Sequence, residues 1–276
     1  MLPIFVIALK NSTDRRQHMT DRLTALGLKF TFIDAVVGKE IPDPEKARLI
    51  SKKRQDFLTT PLSDGALGCL MSHRIIWQKM QDEKIETALV LEDDAIISPD
   101  ILDILPRLKK LEGRFDLINL HDRKDKLLVD IAQISDQYRL STTRYNAIGT
   151  VSYVISRNAA QTLLEESFPV IFEVDVLINR WWDHGLQTLV VKPVVVREDD
   201  APSTIGYGQG KVKWPKDSIS HGIKRRLNRA ADSITKRRSF AAMVATAKMR
   251  LMGTDPKDTS FNPEFPDLRR LTEPES

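Results

Sequence analysis

Short, uniformly apolar runs alternate along this chain with longer stretches in which apolar residues recur every three or four positions. Pro3 to Leu9, rich in Ile, Phe and Val, predicts a buried first strand. Asn11 or Ser12 is placed to cap a helix whose Met19, Leu23 and Leu26 lie on one stripe, and Gly27 to end it. Leu28 to Ile33 predicts a second strand, and Asp43 to about Thr60 a highly charged helix ending before Pro61. Ser63 then caps a helix in which Leu67, Leu70, Met71, Ile75 and Met80 share a broad apolar face. Thr87 to Leu91 predicts a strand that runs directly into Glu92, Asp93 and Asp94. The pattern continues with a helix after Pro99, strands at Phe115 to Leu120 and Tyr145 to Ser156, a helix from Asn158 to Glu165, and a last strand from Leu186 to Val196. Strand–helix alternation through residue 120 predicts an α/β fold with a mostly parallel central sheet and helices on both faces. In such sheets ligands gather at the carboxyl ends of the strands, which directs attention to Glu92, Asp93 and Asp94.

Composition changes this picture mainly at the C-terminal end. With 41% hydrophobic and 29% charged residues the chain is that of an ordinary globular protein. No apolar run approaches the roughly 18 residues of a membrane span. The apolar N-terminus is too short for a signal peptide and lacks a basic leader and a cleavage site. A single cysteine, Cys69, excludes an internal disulfide, so a cytoplasmic location is expected. The net charge of +4 hides an asymmetry: residues 211 to 250 hold twelve Lys or Arg against Asp217 and Asp232 only, which makes that stretch +10 and the remainder −6. The division expected is one domain over residues 1 to 205 and a basic helical region over 206 to 276. In the latter, Ile219, Ile223, Leu227, Ala231 and Ile234 form one helical stripe among basic residues. Such a helix suits the interface of an anionic membrane at the cytoplasmic face; it equally suits docking on its own protein with the basic face in water.

Four motifs carry candidate chemistry. Three adjacent carboxylates at the end of a buried strand repel one another, and a hard divalent cation bound with a diphosphate gives a reason to place them there; a strand-to-helix turn capped by Asp is the alternative. Gly65 and Gly68 each weaken a helix by about 1 kcal/mol relative to alanine, which close approach of a neighbouring backbone or a ligand would offset. On the same helix His73 either bonds a phosphate or sugar or is a core histidine bonded to a main-chain carbonyl. Cys69 reads as a small buried apolar side chain. Directly after the first strand, Arg15 and Arg16 join a helix N-terminus where a nucleotide diphosphate could lie, unless they are ordinary surface charges. Asp34, after the second strand, is placed to hold a ribose or uracil, or to cap a loop. Asp175 has the setting of a general base tuned by partial burial, or of an N-cap.

Together these residues resemble glycosyltransferase family 25, the bacterial lipooligosaccharide glycosyltransferases related to the collagen galactosyltransferases. The resemblance rests on Ile7 to Asn11 with Asp14-Arg15-Arg16, Phe32 to Ala35, Gly65 to His73, Leu89 to Ala95, Gly149 to Arg157 and Val174-Asp175, in that order across roughly residues 3 to 200. It implies a GT-A-like catalytic domain, a UDP-hexose donor with galactose first, Mn²⁺ or Mg²⁺, and inversion at the anomeric carbon. The acceptor it implies is a lipooligosaccharide or other surface glycan. Asp94 and Glu92 would then be the metal carboxylates, with Glu92 or Asp93 touching ribose or sugar. Arg15, Arg16, Asp34 and His73 would serve the donor, and Asp175 would be the base. A metal-dependent sugar nucleotidyltransferase would show a glycine-rich loop after its first strand, and Lys10 to Arg16 contains no glycine. A nucleic-acid-binding or other non-catalytic protein would account for the basic region but not for the acidic body or the three carboxylates, so nucleic acid is not an expected partner.

Overall fold

Strand β1 (Ile4–Ala8) is buried along its whole length, as expected of an apolar run with a packed layer on each face. It belongs to a computed structural model that describes residues 2–122, 128–144, 149–199 and 218–252. The elements follow in the order α1 (Thr13–Ala25), β2 (Thr31–Asp34), a 3₁₀ turn (Gly38–Glu40), α2 (Asp43–Leu49), α3 (Arg54–Phe57) and α4 (Asp64–Asp82). Next come β3 (Thr87–Glu92), β4 (Ala95–Ile97), α5 (Ile101–Lys110), β5 (Leu117–Asn119), β6 (Leu128–Gln133), β7 (Arg139–Thr143) and β8 (Ser152–Ser156). The chain continues through α6 (Arg157–Glu166), α7 (Val174–Ile178), α8 (Trp181–His184), β9 (Thr188–Lys192), β10 (Val196–Glu198) and α9 (Ile219–Met252).

Eight strands form one sheet in the order β2-β1-β3-β8-β5-β9-β7-β6. The α/β class, the helices on both faces and the mostly parallel sheet are as expected, since six of the eight strands run in one direction and β7 and β8 oppose them. Strands β2, β1 and β3 run parallel, as do β5 and β9, while β8 is antiparallel to both β3 and β5, and β7 to both β6 and β9. The cause is local: crossover helices α1 and α4 separate the parallel strands of the first half, whereas β6 and β7 are joined by a short turn, which forces antiparallel pairing. Alternate side chains of each central strand feed two cores. Ile4, Val6, Leu89, Leu91 and Val154 face a layer from α1, α5 and the second half of α9; Phe5, Ile7, Val90, Tyr153 and Ile155 face α4, α6 and α7.

Two expected elements are divided. The charged segment 43–60 is two short helices, because the chain between them leaves its helix at Ile50 to pair with Val170, with Ser51 N–H donating to the Val170 carbonyl at 2.9 Å. The last strand stops at Lys192 before Pro193, which has no N–H for a ladder, and Val196–Glu198 pairs instead with β4. Two cap signals hold, since the Ser63 hydroxyl accepts from Ala66 N–H at 3.1 Å and Gly27 ends α1 with φ +67°, whereas Ser12 stands at the start of α1 without a side-chain cap hydrogen bond. Residues 145–148 of the strand expected over Tyr145 to Ser156, and residues 206–217 and 253–276 of the basic region, lie outside the described residues.

Candidate active site

The carboxyl ends of β1, β2 and β3 lie side by side, so Leu9, Asp34 and the acidic run after Leu91 border one groove. A cavity of about 250 Å³ opens there, lined by residues that include Ala8, Val37, Cys69, His73, Glu92 and Asp93. A second, of about 630 Å³, continues it past Lys10, Ser12, Asp34 and Glu45, sharing Leu9 and the 35–37 loop. That loop is clamped to α4. The Ser72 hydroxyl accepts from Val36 N–H at 2.8 Å and donates to the Gly68 carbonyl at 2.7 Å. A Cβ on Gly68 would run into the Val36 carbonyl oxygen and lie 2.7 Å from Gly38 N, and a Cβ on Gly38 would run into the Asp64 carbonyl. The close backbone approach expected of a glycine in this helix is thus real, and it builds one wall of the cavity.

His73 is fully buried, yet it is neither bonded to a main-chain carbonyl nor isolated. Trp77 Nε1–H donates to the Tyr153 hydroxyl at 3.1 Å, that hydroxyl lies 2.7 Å from His73 Nδ1, and His73 Nε2 lies 3.4 Å from Glu92 Oε1. One tautomer satisfies the chain: Tyr153 donates to Nδ1, and Nε2–H donates to the carboxylate. Thr150 donates to the same Glu92 oxygen. Burial opposes ionisation of Glu92, but the hydrogen bonds of His73 and Thr150 outweigh it and hold the pKa below its ordinary value. Glu92 is therefore an oriented, ionised carboxylate at the mouth of the cavity.

Its neighbours differ. Asp93 accepts from Arg15 at 2.7 Å, and burial raises its pKa against that arginine. Asp94 is pushed up to about 7 by burial and by the charges of Glu92, Asp93 and Glu198, with Arg15 opposing. Its buried Oδ1 has no hydrogen-bond partner among the described residues. A buried carboxylate oxygen left unpaired beside three other acids is unfavourable, and a hard divalent cation relieves both the missing partner and the repulsion. The chemistry of this acidic cluster therefore fits a hard divalent cation such as Mn²⁺ or Mg²⁺. Cys69, His73 and Glu92 also bring a thiol, an imidazole and a carboxylate within 4.8 Å of one another. Both ring nitrogens of His73 are already engaged, one of them with Glu92, and the Cys69 thiol beside this pair is driven well above its ordinary pKa by burial and by Glu92, Asp175 and Asp94.

Asp175 lies near the same point, since its charge and those of Glu92 and Asp94 all act on Cys69. It sits in the first turn of α7, where its Oδ1 accepts from Val176 N–H at 2.8 Å. Burial raises its pKa; the Val176 and Gly149 amides hold it down, while Glu173 and Glu92 push it up. Gly149 reaches this position with φ +94°, which strains any other residue. The two arginines do not line either cavity. Arg15 holds Asp93, and Arg16 donates to the carbonyls of Ala8 and Leu9 at 3.0 Å each and to Asp34, whose side chain is 57% exposed. They shape the groove from behind.

Several contributors had no role in the sequence reading. Tyr153 and Thr150 lie in the Gly149–Arg157 motif, which marked their segment but not their contacts. Glu198 reaches Asp94 through the β4–β10 ribbon, and His121 packs its ring 3.5 Å from where a Cβ of Gly149 would stand. Arg54, with no exposed surface, donates to the Ile171 carbonyl and to Glu173, the residue before α7. A surface-rich charged segment gave no signal for so buried an arginine.

Residues 1–178 match the sequence profile of glycosyltransferase family 25, described as an LPS biosynthesis protein. Among curated proteins the chain is 29% identical over 167 residues to the lacto-N-neotetraose biosynthesis glycosyltransferase LgtE of Neisseria meningitidis serogroup B, covering 58% of this chain and 59% of that one. It is 29% identical over 170 residues to the lipooligosaccharide biosynthesis protein lic2B of Haemophilus influenzae, covering 58% and 61%. It is 27% identical over 226 residues to procollagen galactosyltransferase 1-B of Xenopus laevis, covering 74% and 37%. The matched part thus spans about three fifths of the bacterial relatives and little more than a third of the animal one.

Proposed function

The chain belongs to glycosyltransferase family 25, and we propose that it transfers a hexose, galactose first, from a UDP-sugar to a lipid-linked surface oligosaccharide with inversion at the anomeric carbon. The observation that carries the metal-dependent part is the unpaired, buried Asp94 oxygen just after β3, next in sequence to Asp93, which lines the cavity. The names of the relatives support galactose and a lipooligosaccharide acceptor. In this reading the diphosphate lies along the groove between the end of β1 and the acidic run, with the nucleoside toward Asp34. Asp94, with Glu92 or Asp93 beside it, would hold Mn²⁺ or Mg²⁺, which would supply Lewis-acid stabilisation of the departing diphosphate. Glu92, fixed by His73 and Thr150, orients donor hydroxyls.

Asp175 takes the proton from the acceptor hydroxyl as its oxygen bonds to the anomeric carbon and the bond to the UDP oxygen breaks. Burial suits it to that task, because a carboxylate with a raised pKa is a stronger base. The proposed catalytic domain is residues 1–205, and 206–276 is the proposed basic region beyond it. The test is a panel of UDP-sugars, incubated with and without acceptor oligosaccharide, in Mn²⁺, Mg²⁺ or EDTA. Release of UDP from UDP-galactose that requires a cation and rises with acceptor is expected. Full activity in EDTA would overturn the metal's role, and pyrophosphate release from a nucleoside triphosphate with a sugar phosphate would replace transfer with nucleotidyl chemistry.

A further inference from the structure

Helix α9 is mounted with its polar face inward over its first half. His221 contacts Asp56 at 2.7 Å, Arg225 donates to the Gln55 carbonyl at 2.8 Å, and Asn228 donates to the Asp56 carbonyl at 2.9 Å. Asp232, the single acidic residue of the helix, receives both guanidinium nitrogens of Arg180 at 2.9 and 3.0 Å and the Trp182 indole at 3.2 Å. The apolar stripe therefore points away from the protein. Ile219 is 86% exposed, Ile223 54%, Leu227 64% and Ile234 51%, and Ala230 lies between them, also exposed. These are four of the nine large hydrophobic residues exposed among the described residues, gathered on one side of one helix. Docking on the protein explains the helix's polar face and leaves its apolar face without a partner among the described residues.

Charge selects the partner. Arg226, Arg229, Arg237 and Arg238 are exposed along the shoulders of the stripe, and no acidic side chain of α9 accompanies them, while Lys224 beside them reaches Asp56 at 3.3 Å. A second copy presenting the same face would set these cations against one another, and a nucleic acid would leave the isoleucines in water. An anionic lipid surface satisfies both features, with phosphates for the shoulders and acyl chains for the stripe. No helix among the described residues is long and apolar enough to cross a membrane, so the contact lies in the interface. We propose that the outward face of α9, from Ile219 to Arg238, docks the enzyme on an anionic membrane. The proposal rests on the transferase reading only in that a lipid-linked acceptor gives such a seat its purpose.

Flotation of the full chain with vesicles of phosphatidylglycerol and phosphatidylcholine, or of phosphatidylcholine alone, tests it without any sugar present. The chain is expected to float with the anionic vesicles only, and less as salt rises. The variant I223S/L227S/I234S, altered only at exposed side chains, is expected to keep its melting temperature and its UDP-sugar hydrolysis while its partition falls by about a hundredfold or more, as loss of three inserted aliphatic side chains requires. Equal flotation of parent and variant overturns the proposal. So does a parent that stays behind with anionic vesicles, a parent that is dimeric by light scattering while the variant is monomeric, or a parent displaced from vesicles by nucleic acid with the variant binding that nucleic acid equally. Because flotation reads no chemistry, a failed transferase assay leaves this result standing, and the reverse holds.

Discussion

At the scale of single residues the acidic run is three side chains with three fates. Glu92 is held ionised by His73 and Thr150, Asp93 is paired with Arg15, and Asp94 is left raised and unpaired. With a folded pKa of about 7 against an ordinary 3.8, protonation of Asp94 favours the folded form. The stability it contributes is complete below the ordinary value and is lost as pH rises through about 7. Asp94→Asn mimics the protonated group at every pH. In metal-free protein the variant should therefore melt increasingly above the parent as pH rises from about 4 to 7, approaching a few kcal/mol at about 1.4 kcal/mol per unit. Mn²⁺ should close that gap by stabilising the parent alone, while Asp94→Asn lowers transfer by about a hundredfold or more. Parallel melting curves across pH, with or without cation, would remove Asp94 from the metal site. The run itself was legible as chemistry because packing gives no reason for three acids at the end of a buried strand. Which acid is unpaired was not, since Arg15 and Glu198 reach them from elements distant in sequence.

At the scale of elements, two segments shape the candidate site from outside the acidic run. The first is the seam between α4 and the 35–38 loop, legible as a glycine that weakens a helix for no local reason. Gly68→Ala places a Cβ against the Val36 carbonyl and Gly38 N, both backbone, so the loop has to move. Overpacking of this kind costs about 1–3 kcal/mol, and because the loop walls the cavity, calorimetry should show weaker UDP binding as well as a lower melting point. Unchanged UDP affinity would detach the seam from the donor. The second is the α3–α7 link, where buried Arg54 holds Ile171 and Glu173 just before Asp175. Arg54→Met leaves Glu173 without its cation, and on the proposed roles kcat should fall while UDP affinity stays near that of the parent. A large loss of UDP affinity instead would move this segment to the donor side. Neither α3 as a separate helix nor the β6–β7 hairpin was readable. The break at Ile50 depends on Val170, and the hairpin's polar, alternating residues lack the continuous apolar run that marks the central strands.

At the scale of the molecule, the asymmetry between an acidic body and a basic C-terminal stretch was visible in composition, and so was the stripe from Ile219 to Ile234. Periodicity gives a stripe but not its direction, because helix docking depends on partners such as Asp56 and Arg180 that lie far away in sequence. The same helix changes character along its length. Beyond Arg238 its inward residues are Phe240, Val244, Ala247 and Leu251, all of them buried in the core that includes Leu89, Ile104 and Val191. Arg250 adds a two-nitrogen contact to Asp116 at 2.6 and 3.0 Å, next to the start of β5. The basic helix is thus an outward-facing surface at one end and a layer of the fold at the other. Ending the chain at residue 217 would remove both. Exposing the pocket left by Phe240, Val244 and Leu251 costs about 1.5–3 kcal/mol for each large side chain, against a total stability of about 5–15 kcal/mol for a typical domain. The shortened chain should accordingly melt far below the full chain or precipitate, and should lose UDP-sugar hydrolysis along with vesicle binding. Phe240→Ala alone should lower stability by about 3–5 kcal/mol while leaving flotation at low temperature intact. A chain ended at residue 217 that stays soluble, with an unchanged melting point and full hydrolysis, would show that the second half of α9 rests on the sheet without supporting it.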